Sequence, residues 1–229
     1  WKVERIGGVN VFIRGLGIAK IQRADVPIGF PKVPGVLMTK LEPLSFGSVP
    51  KRFKQDGWPL LSTRTIRIDL NNIKPKKDAR YCIRKAAMLN AKYSMDDFDG
   101  FYEIWRKAAK IKHLWVPPKG QYEALIQSFG KNAFCITIDD LAGAVVLMHA
   151  KTAYYYYAAC LPAGKPLYLP YLVVWELMKE AKKRGCKTWD FEGIYDSRWP
   201  NKSIKGYSHF KKSFGGKEIE FPGSFTRWL

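Results

Sequence analysis

Three consecutive apolar runs separated by tight turns constrain this chain most. Ala133 to Ile138 is followed by the turn Asp139-Asp140-Leu141-Ala142-Gly143, then by Ala144 to Ala150, then by Thr152 to Cys160. Runs of this length, rich in β-branched and aromatic residues and punctuated this closely, read as an antiparallel meander. Four tyrosines, Tyr154 to Tyr157, stand in a row on the third run. Strict alternation sends two to each face of the sheet. One pair is then core and the other lines a cleft with its hydroxyls, which leaves any of the four, Tyr155 among them, as a candidate for substrate contact.

Helical periodicity brackets the meander. Asp78 is the N-cap candidate for a helix reaching about Ala91, with Ala79, Cys82, Ile83, Ala86 and Leu89 or Asn90 on its apolar face. On its other side Lys77, Arg80 and Arg84 stack at spacings of three and four. Such cations repel unless an anion sits among them, so Arg80 and Arg84 are candidate anion ligands; a solvated helix face is the alternative. Asp96 to Lys112 reads as a second helix with the stripe Phe98, Phe101, Trp105, Ala108 and Ala109, and Gln121 to Phe129 as a third. After the meander, Leu169 to Arg184 is a long helix with Tyr171, Val174, Trp175, Met178 and Ala181 on one face. Gly185 suits its C-terminal cap. Lys187 to Phe191 reads as a short buried strand, and Glu218 to Phe221 as the last strand. Between them a loop leads to a basic-aromatic cluster, Gly206-Tyr207-Ser208-His209-Phe210-Lys211-Lys212-Ser213-Phe214-Gly215-Gly216. A lysine there stands close to the end of a strand; the alternative is that Phe210 and Phe214 are core and the lysines solvated.

The first seventy residues read as β-rich. Val9 to Arg14 and Ile18 to Arg23 flank Gly15-Leu16-Gly17 as a hairpin, Val36 to Leu41 is a strand, Lys51 to Lys54 one or two helical turns, and Thr65 to Leu70 an alternating strand. The polar stretch Asn71 to Lys77 links this part to the first helix and a second domain. The class is α+β, and the element order of the second half is that of an acyltransferase fold of the GNAT type.

Composition narrows the partners. The 229 residues are 47% hydrophobic and 26% charged, which is globular. The net charge of +19 favours a polyanionic partner such as RNA, a phosphate-bearing substrate or an anionic membrane. Cys82, Cys135, Cys160 and Cys186 stand alone, and with three histidines no metal-type spacing arises. Reduced thiols in a cytosol are the simplest account. The chain opens on Trp1, which points to a trimmed or partial product.

Several stretches together resemble the Fem peptidyltransferases (FemA, FemB and FemX), aminoacyl-tRNA-dependent enzymes of peptidoglycan cross-bridge synthesis. They are Thr65-Ile66-Arg67-Ile68-Asp69-Leu70, Ala79 to Ala86, Tyr155 to Ala159, Tyr171 to Glu176 with Ala181 to Gly185, Trp189-Asp190-Phe191-Glu192-Gly193-Ile194, and Phe210 to Gly216. Order and spacing agree from about residue 60 to 222. The resemblance implies two GNAT-like domains: a partial one over 1–72, completed by 222–229, and a fuller one over 73–221. It implies transfer of an amino acid from aminoacyl-tRNA to a stem-peptide amine on UDP-MurNAc-pentapeptide or lipid II, by a cytoplasmic, monomeric protein without metal or acetyl-CoA. The family's functional lysine follows a phenylalanine, matching Phe210-Lys211, with Lys212 as the adjacent alternative. Tyr207 and Tyr157 are candidates for proton relay from position alone. Many members carry glycine where Glu192 stands, so Glu192 is either a local substitution or a substrate contact. The family's muropeptide-holding lysine falls before Trp1, and the long coiled-coil arm of some members is missing, which implies either the compact, FemX-like form or a different handling of tRNA.

Two rivals stand beside that reading. A GNAT acyltransferase using acyl-CoA needs a glycine-rich amide loop ahead of its long helix. Here that position holds Pro162-Ala163-Gly164-Lys165-Pro166-Leu167, whose prolines remove donors. A non-catalytic RNA-binding module fits the charge but shows no RRM, KH or OB signature.

Overall fold

The computed structural model describes residues 1–15, 17–47, 49–201 and 204–228. Leu16 in the expected hairpin turn and Leu229 at the end of the expected first domain lie outside the described residues. In chain order the strands are β1 (Lys2–Ile6), β2 (Val9–Arg14), β3 (Ile18–Gln22), β4 (Met38–Glu42), β5 (Lys54–Gln55), β6 (Arg64–Asp69), β7 (Tyr93–Met95), β8 (Ala133–Ile138), β9 (Ala142–His149), β10 (Thr152–Cys160), β11 (Thr188–Asp190), β12 (Lys217–Glu220) and β13 (Phe225–Trp228). The helices are α1 (Lys77–Ala87), α2 (Phe98–Ile111), α3 (Lys119–Phe129), α4 (Leu169–Lys183) and α5 (Lys205–Lys212).

The chain divides into two compact units. Unit 1 is Trp1–Thr65, Gly193–Lys205 and Glu218–Leu229; unit 2 is Ile66–Glu192 and Gly206–Lys217. These limits differ from the boundaries at 72/73 and 221/222 read from the sequence. The polar stretch after Leu70 looks like a linker, but β6 pairs with β11 and so belongs with unit 2 from Ile66. The loop after Glu192 is held in unit 1 by Asp196. Its carboxylate accepts from Thr63 Oγ1 at 2.7 Å and from Arg198 Nη2 at 2.7 Å. Burial pushes the Asp196 pKa up, but the Arg198 and Thr63 hydrogen bonds outweigh it and hold it at about 2.

Unit 1 is one sheet in the order β1-β2-β3-β4-β13-β5, with β3 and β4 parallel and the other pairs antiparallel. β4 pairs with β3 and β13 on its two edges and is buried at every position. Val11, Ile21, Phe30, Val33, Leu41 and Phe53 form the core. Four strands have no counterpart in the sequence reading: β1, which pairs with β2 across Gly7-Gly8, β5, β13 and, in unit 2, β7. Lys51 to Lys54 is not helical. Phe53 N donates to Pro50 O, and the chain then enters β5, which pairs with β13. Lys40 on β4 is 1% exposed, yet its ammonium meets the Asp56 carboxylate at 2.9 Å. Ser224 Oγ and Thr226 Oγ1 donate to the same carboxylate at 2.8 and 2.6 Å.

Unit 2 is built on the strands β6-β11-β10-β9-β8-β7. β8 and β9 are buried almost throughout, which requires cover on both faces. α2 and α3 cover one face, with Phe101, Tyr102 and Tyr122 packed on Cys135, Val145 and Leu147. α4 covers the other and carries α1 alongside. The meander read from sequence is present with the registers Ala133↔Leu147 and Thr152↔His149. α1 starts one residue before Asp78, with Lys76 as cap, because Lys76 N is taken by Ser213 O at 2.8 Å; Asp78 sits in its first turn. α1 also ends at Ala87, short of Ala91, and Asn90 turns left-handed at φ 43°. α2 begins at Phe98 rather than Asp96, because Asp97 caps it by accepting from Gly100 N at 2.9 Å. α4 buries Leu169, Leu172, Val173 and Leu177 as well as Val174, Met178 and Ala181, while Tyr171 and Trp175 are half-buried. Contact with both sheet and α1 makes its apolar face wider than one stripe.

Candidate active site

The site arises from a mismatch in strand length. β10 has nine residues, but β11 has three and pairs with it in parallel only at Thr152 to Tyr154. Beyond Tyr154 that edge of β10 has no β11 partner. The register against β9 slips at the same place: Tyr155 opposes Val146 and Tyr157 opposes Val145, leaving Tyr156 as a bulge. Strict alternation would keep Tyr155 and Tyr157 on one face; the bulge separates them. Tyr155 is buried against Trp189 and Phe191, each 5.7 Å away between ring centres. Tyr157 lies on Trp105 at 4.2 Å and joins the α2 and α3 core. Tyr156, 42% exposed, faces a cavity of about 660 Å³ together with Tyr155.

The cavity's far wall is α5, which carries Tyr207, Phe210 and Lys211. This segment reads as a loop in sequence because its helix has no apolar stripe; only Ser208 within it is buried. Aromatic rings hold it in place. Phe210 meets Tyr171 edge-on at 4.8 Å, and Phe214, fully buried, stacks on Tyr171 at 5.8 Å and packs on Phe191 at 5.7 Å. The chain then turns at Gly215 and Gly216, with φ of 84° and 88°. A Cβ on Gly216 would lie 2.5 Å from Arg67 O, so here the missing side chain allows a close approach as well as the left-handed turn. Gly216→Ala is therefore expected to destabilise unit 2 by more than about 1 kcal/mol, read as a lower denaturation midpoint.

Lys211 is half-buried, and its Nζ donates to Phe191 O at 2.8 Å, at the end of β11. Desolvation lowers its pKa to about 8, against the opposing pull of the Glu192 and Asp190 carboxylates. Asp190 also binds Arg67 Nε at 2.8 Å and accepts from Glu192 N at 2.8 Å, a bend that puts Glu192 at φ 63°. On the same wall, Lys112 Nζ donates to the Tyr207 hydroxyl at 2.8 Å. Lys165 and Cys160 complete the polar lining.

The structure thus brings Lys211, Phe210, Tyr207 and Tyr155 to one cavity. Tyr157 is on the core side of the bulge, where burial raises its pKa to about 12. Glu192 is off the wall but acts on Lys211 by charge. Lys212 is half-buried and off the wall. Arg80 and Arg84 are exposed on α1, with Arg80 Nη1 donating to Pro75 O at 3.1 Å, and do not line the cavity. Sequence reading missed Lys112, Lys165 and Cys160 as lining residues, left Tyr156 undistinguished among the four tyrosines, and placed Trp105 in the core stripe alone. No spacing rule marks them, since the bulge and α5 gather them. Among the described residues no group of His, Cys, Asp and Glu could hold a metal ion. Chemically, the cavity offers one amine whose pKa burial lowers to about 8, two further lysines and aromatic walls. That combination suits a polarised acyl group attached to an anionic carrier.

Residues 137–228 match the model of the FemAB family. The crystal structure of FemX is similar at a TM-score of 0.76 and 14% identity, covering 96% of this chain and 84% of that one. A C-terminal domain from Agrobacterium fabrum, described as that of a putative lysylphosphatidylglycerol synthetase, gives 0.67 at 12% identity, with 98% and 82% covered. A GCN5-related N-acetyltransferase from Kribbella flavida gives 0.52 at 9%, with 98% and 88% covered. These likenesses show the fold, which is α+β and GNAT-like. No curated protein sequence matches the chain.

Proposed function

We propose that this chain, whose residues 137–228 match the model of the FemAB family, is an aminoacyltransferase that takes its acyl group from aminoacyl-tRNA and delivers it to a stem-peptide amine of a peptidoglycan precursor. The observation that carries this reading is Lys211, an amine with a pKa of about 8 set at a strand end on the cavity wall. In the proposed reaction the neutral acceptor amine attacks the ester carbonyl, forming the C–N bond. The Lys211 ammonium faces the oxyanion that develops on the carbonyl oxygen. The C–O bond to the ribose then breaks, and the proton lost by the amine ends on the departing ribose oxygen. Tyr207, a wall hydroxyl that accepts from Lys112, is the group to which this reading assigns the relay of that proton. Tyr157, packed on Trp105, is less well placed for it.

The net charge of +19 supports a tRNA-borne donor. An acyl-CoA donor is less well supported. Its pyrophosphate would need free amides at the start of α4, where Tyr168 is left-handed and Pro170 occupies the first turn. The test is a transfer assay with UDP-MurNAc-pentapeptide, lipid II and a pool of aminoacylated tRNAs, read by mass spectrometry. The expected result is a mass gain of one aminoacyl residue on one of the two acceptors, abolished by RNase. No gain on either acceptor, with acylation from an acyl-CoA instead, would overturn the reading.

A further inference from the structure

Helix α2 does not end in the way its buried face suggests. His113 turns left-handed at φ 51°, and Leu114 N reaches back to Ala109 O at 2.9 Å, a Schellman-type stop. In that motif the residue after the left-handed one usually packs back on the helix. Here Leu114 is 60% exposed, beside Ile111 at 57% and Trp115 at 77%. Residues 110–115 are all exposed, and Lys110, Lys112 and His113 are interleaved with the three apolar side chains. The segment is braced rather than loose, since the Tyr102 hydroxyl donates to Pro117 O at 3.0 Å and Pro118 comes next. Among the described residues no helix is long and apolar enough to cross a membrane.

We infer that the α2 terminus, Ile111, Leu114 and Trp115 with their flanking lysines, is a wedge that docks this protein on an anionic lipid bilayer. The chemistry is that of an interfacial anchor: an indole and two aliphatic side chains enter the headgroup boundary while lysines meet anionic lipid. Aliphatic Ile111 and Leu114 favour a bilayer over nucleic acid, whose bases select aromatic platforms. The excess positive charge of the whole chain complements such a surface. Leu114 also lines the cavity, so docking brings the cavity rim to the headgroups. Resting on the aminoacyl-transfer reading, that position selects a lipid-borne acceptor over a soluble nucleotide-linked one.

The test is co-flotation of the full chain with phosphatidylcholine vesicles carrying about 30% phosphatidylglycerol, in low and in about 0.5 M salt. The double variant Ile111→Ser/Trp115→Ser removes exposed side chains only, and circular dichroism checks that it folds. Wild type is expected to bind and to keep part of its binding in high salt, while the variant binds at least about tenfold more weakly. Quenching by brominated lipid is expected to be lower in Trp115→Phe than in wild type, which tests insertion without a large change in shape. No vesicle binding, equal binding by the variant, or binding abolished by salt alone would overturn the proposal. So would loss of tRNA binding, or of self-association, in the variant with vesicle binding unchanged. None of these readouts needs an acyl donor, so they stand or fall separately from aminoacyl transfer.

Discussion

Lys211→Met is expected to lower aminoacyl transfer by about 10²- to 10³-fold, with little change in the affinity for tRNA. The magnitude is that of removing one preorganised oxyanion contact, roughly 3–4 kcal/mol in the barrier. Methionine keeps most of the stem and its packing while deleting the ammonium proposed to face the carbonyl. Lys211→Arg keeps the charge, but a planar guanidinium does not fit the place where Nζ donates to Phe191 O at 2.8 Å, so only partial activity is expected. The pH profile separates a chemical role from a structural one. With a pKa of about 8, Lys211 loses its charge above that pH, and the wild-type rate is expected to fall there. The residual rate of Lys211→Met should lack that descending limb. Stability runs the other way. The folded pKa lies below the ordinary lysine value of 10.5, so between about 8 and 10.5 the unfolded chain holds more protons than the native one. Stability contributed by this group therefore rises with pH across that window, and Lys211→Met should flatten the rise. Single-turnover rates with purified aminoacyl-tRNA, taken across pH, provide the check.

Asp56→Ala is expected to be the most damaging single change in unit 1, at about 3–5 kcal/mol. It strands the Lys40 ammonium, which is 1% exposed, and leaves Ser224 and Thr226 without their acceptor. The pair itself is not the source of so large a number, since burying two charges costs much of what their attraction returns. The loss comes from orphaning one of them. Replacing both, Lys40→Met with Asp56→Leu, should recover a large part. Burial pushes the Asp56 carboxyl up, but hydrogen bonds from Thr226, Lys40 and Ser224 outweigh it and hold it below the usual range. Its contribution is therefore present above the ordinary carboxylate pKa and is lost as pH falls through the lowered one. Because the chain has two units, hydrogen exchange resolved to β4 and β13 measures this better than one global melt.

The parts of this fold legible in the sequence are those that bury a periodic pattern. The meander β8-β9-β10 and helices α2 and α4 announce themselves because one face, or both, is apolar at the spacing of the element. α5 was invisible for the same reason: its position is set by Phe210 and Phe214 against Tyr171 and Phe191, contacts far away in sequence. β1 and β13 were missed because they are short, with few fully buried positions. The site was half legible. The F-K motif singled out Phe210 and Lys211, but the bulge at Tyr156 decides which tyrosine meets the cavity. A one-residue slip leaves no mark in a run of four identical residues. Lys112 and Lys165 were hidden among the other basic residues of a strongly cationic chain.

The path of the chain through its two units bears on how the protein is made. Unit 2 begins at Ile66 and is interrupted after Glu192, when the chain leaves for Gly193–Lys205 of unit 1; it resumes only with Gly206–Lys217. The meander and its flanking helices can therefore collapse early on a ribosome, while the helix bearing Lys211 arrives last and from a distance. A nascent chain stopped at Glu192 would hold most of the apolar interior of unit 2 and none of α5. The lysine enters only after a stretch of unit 1 has been synthesised, so the proposed reactive centre is completed late by the order of synthesis itself, and on that reading chains that stop before α5 are expected to be inert without any inhibitor.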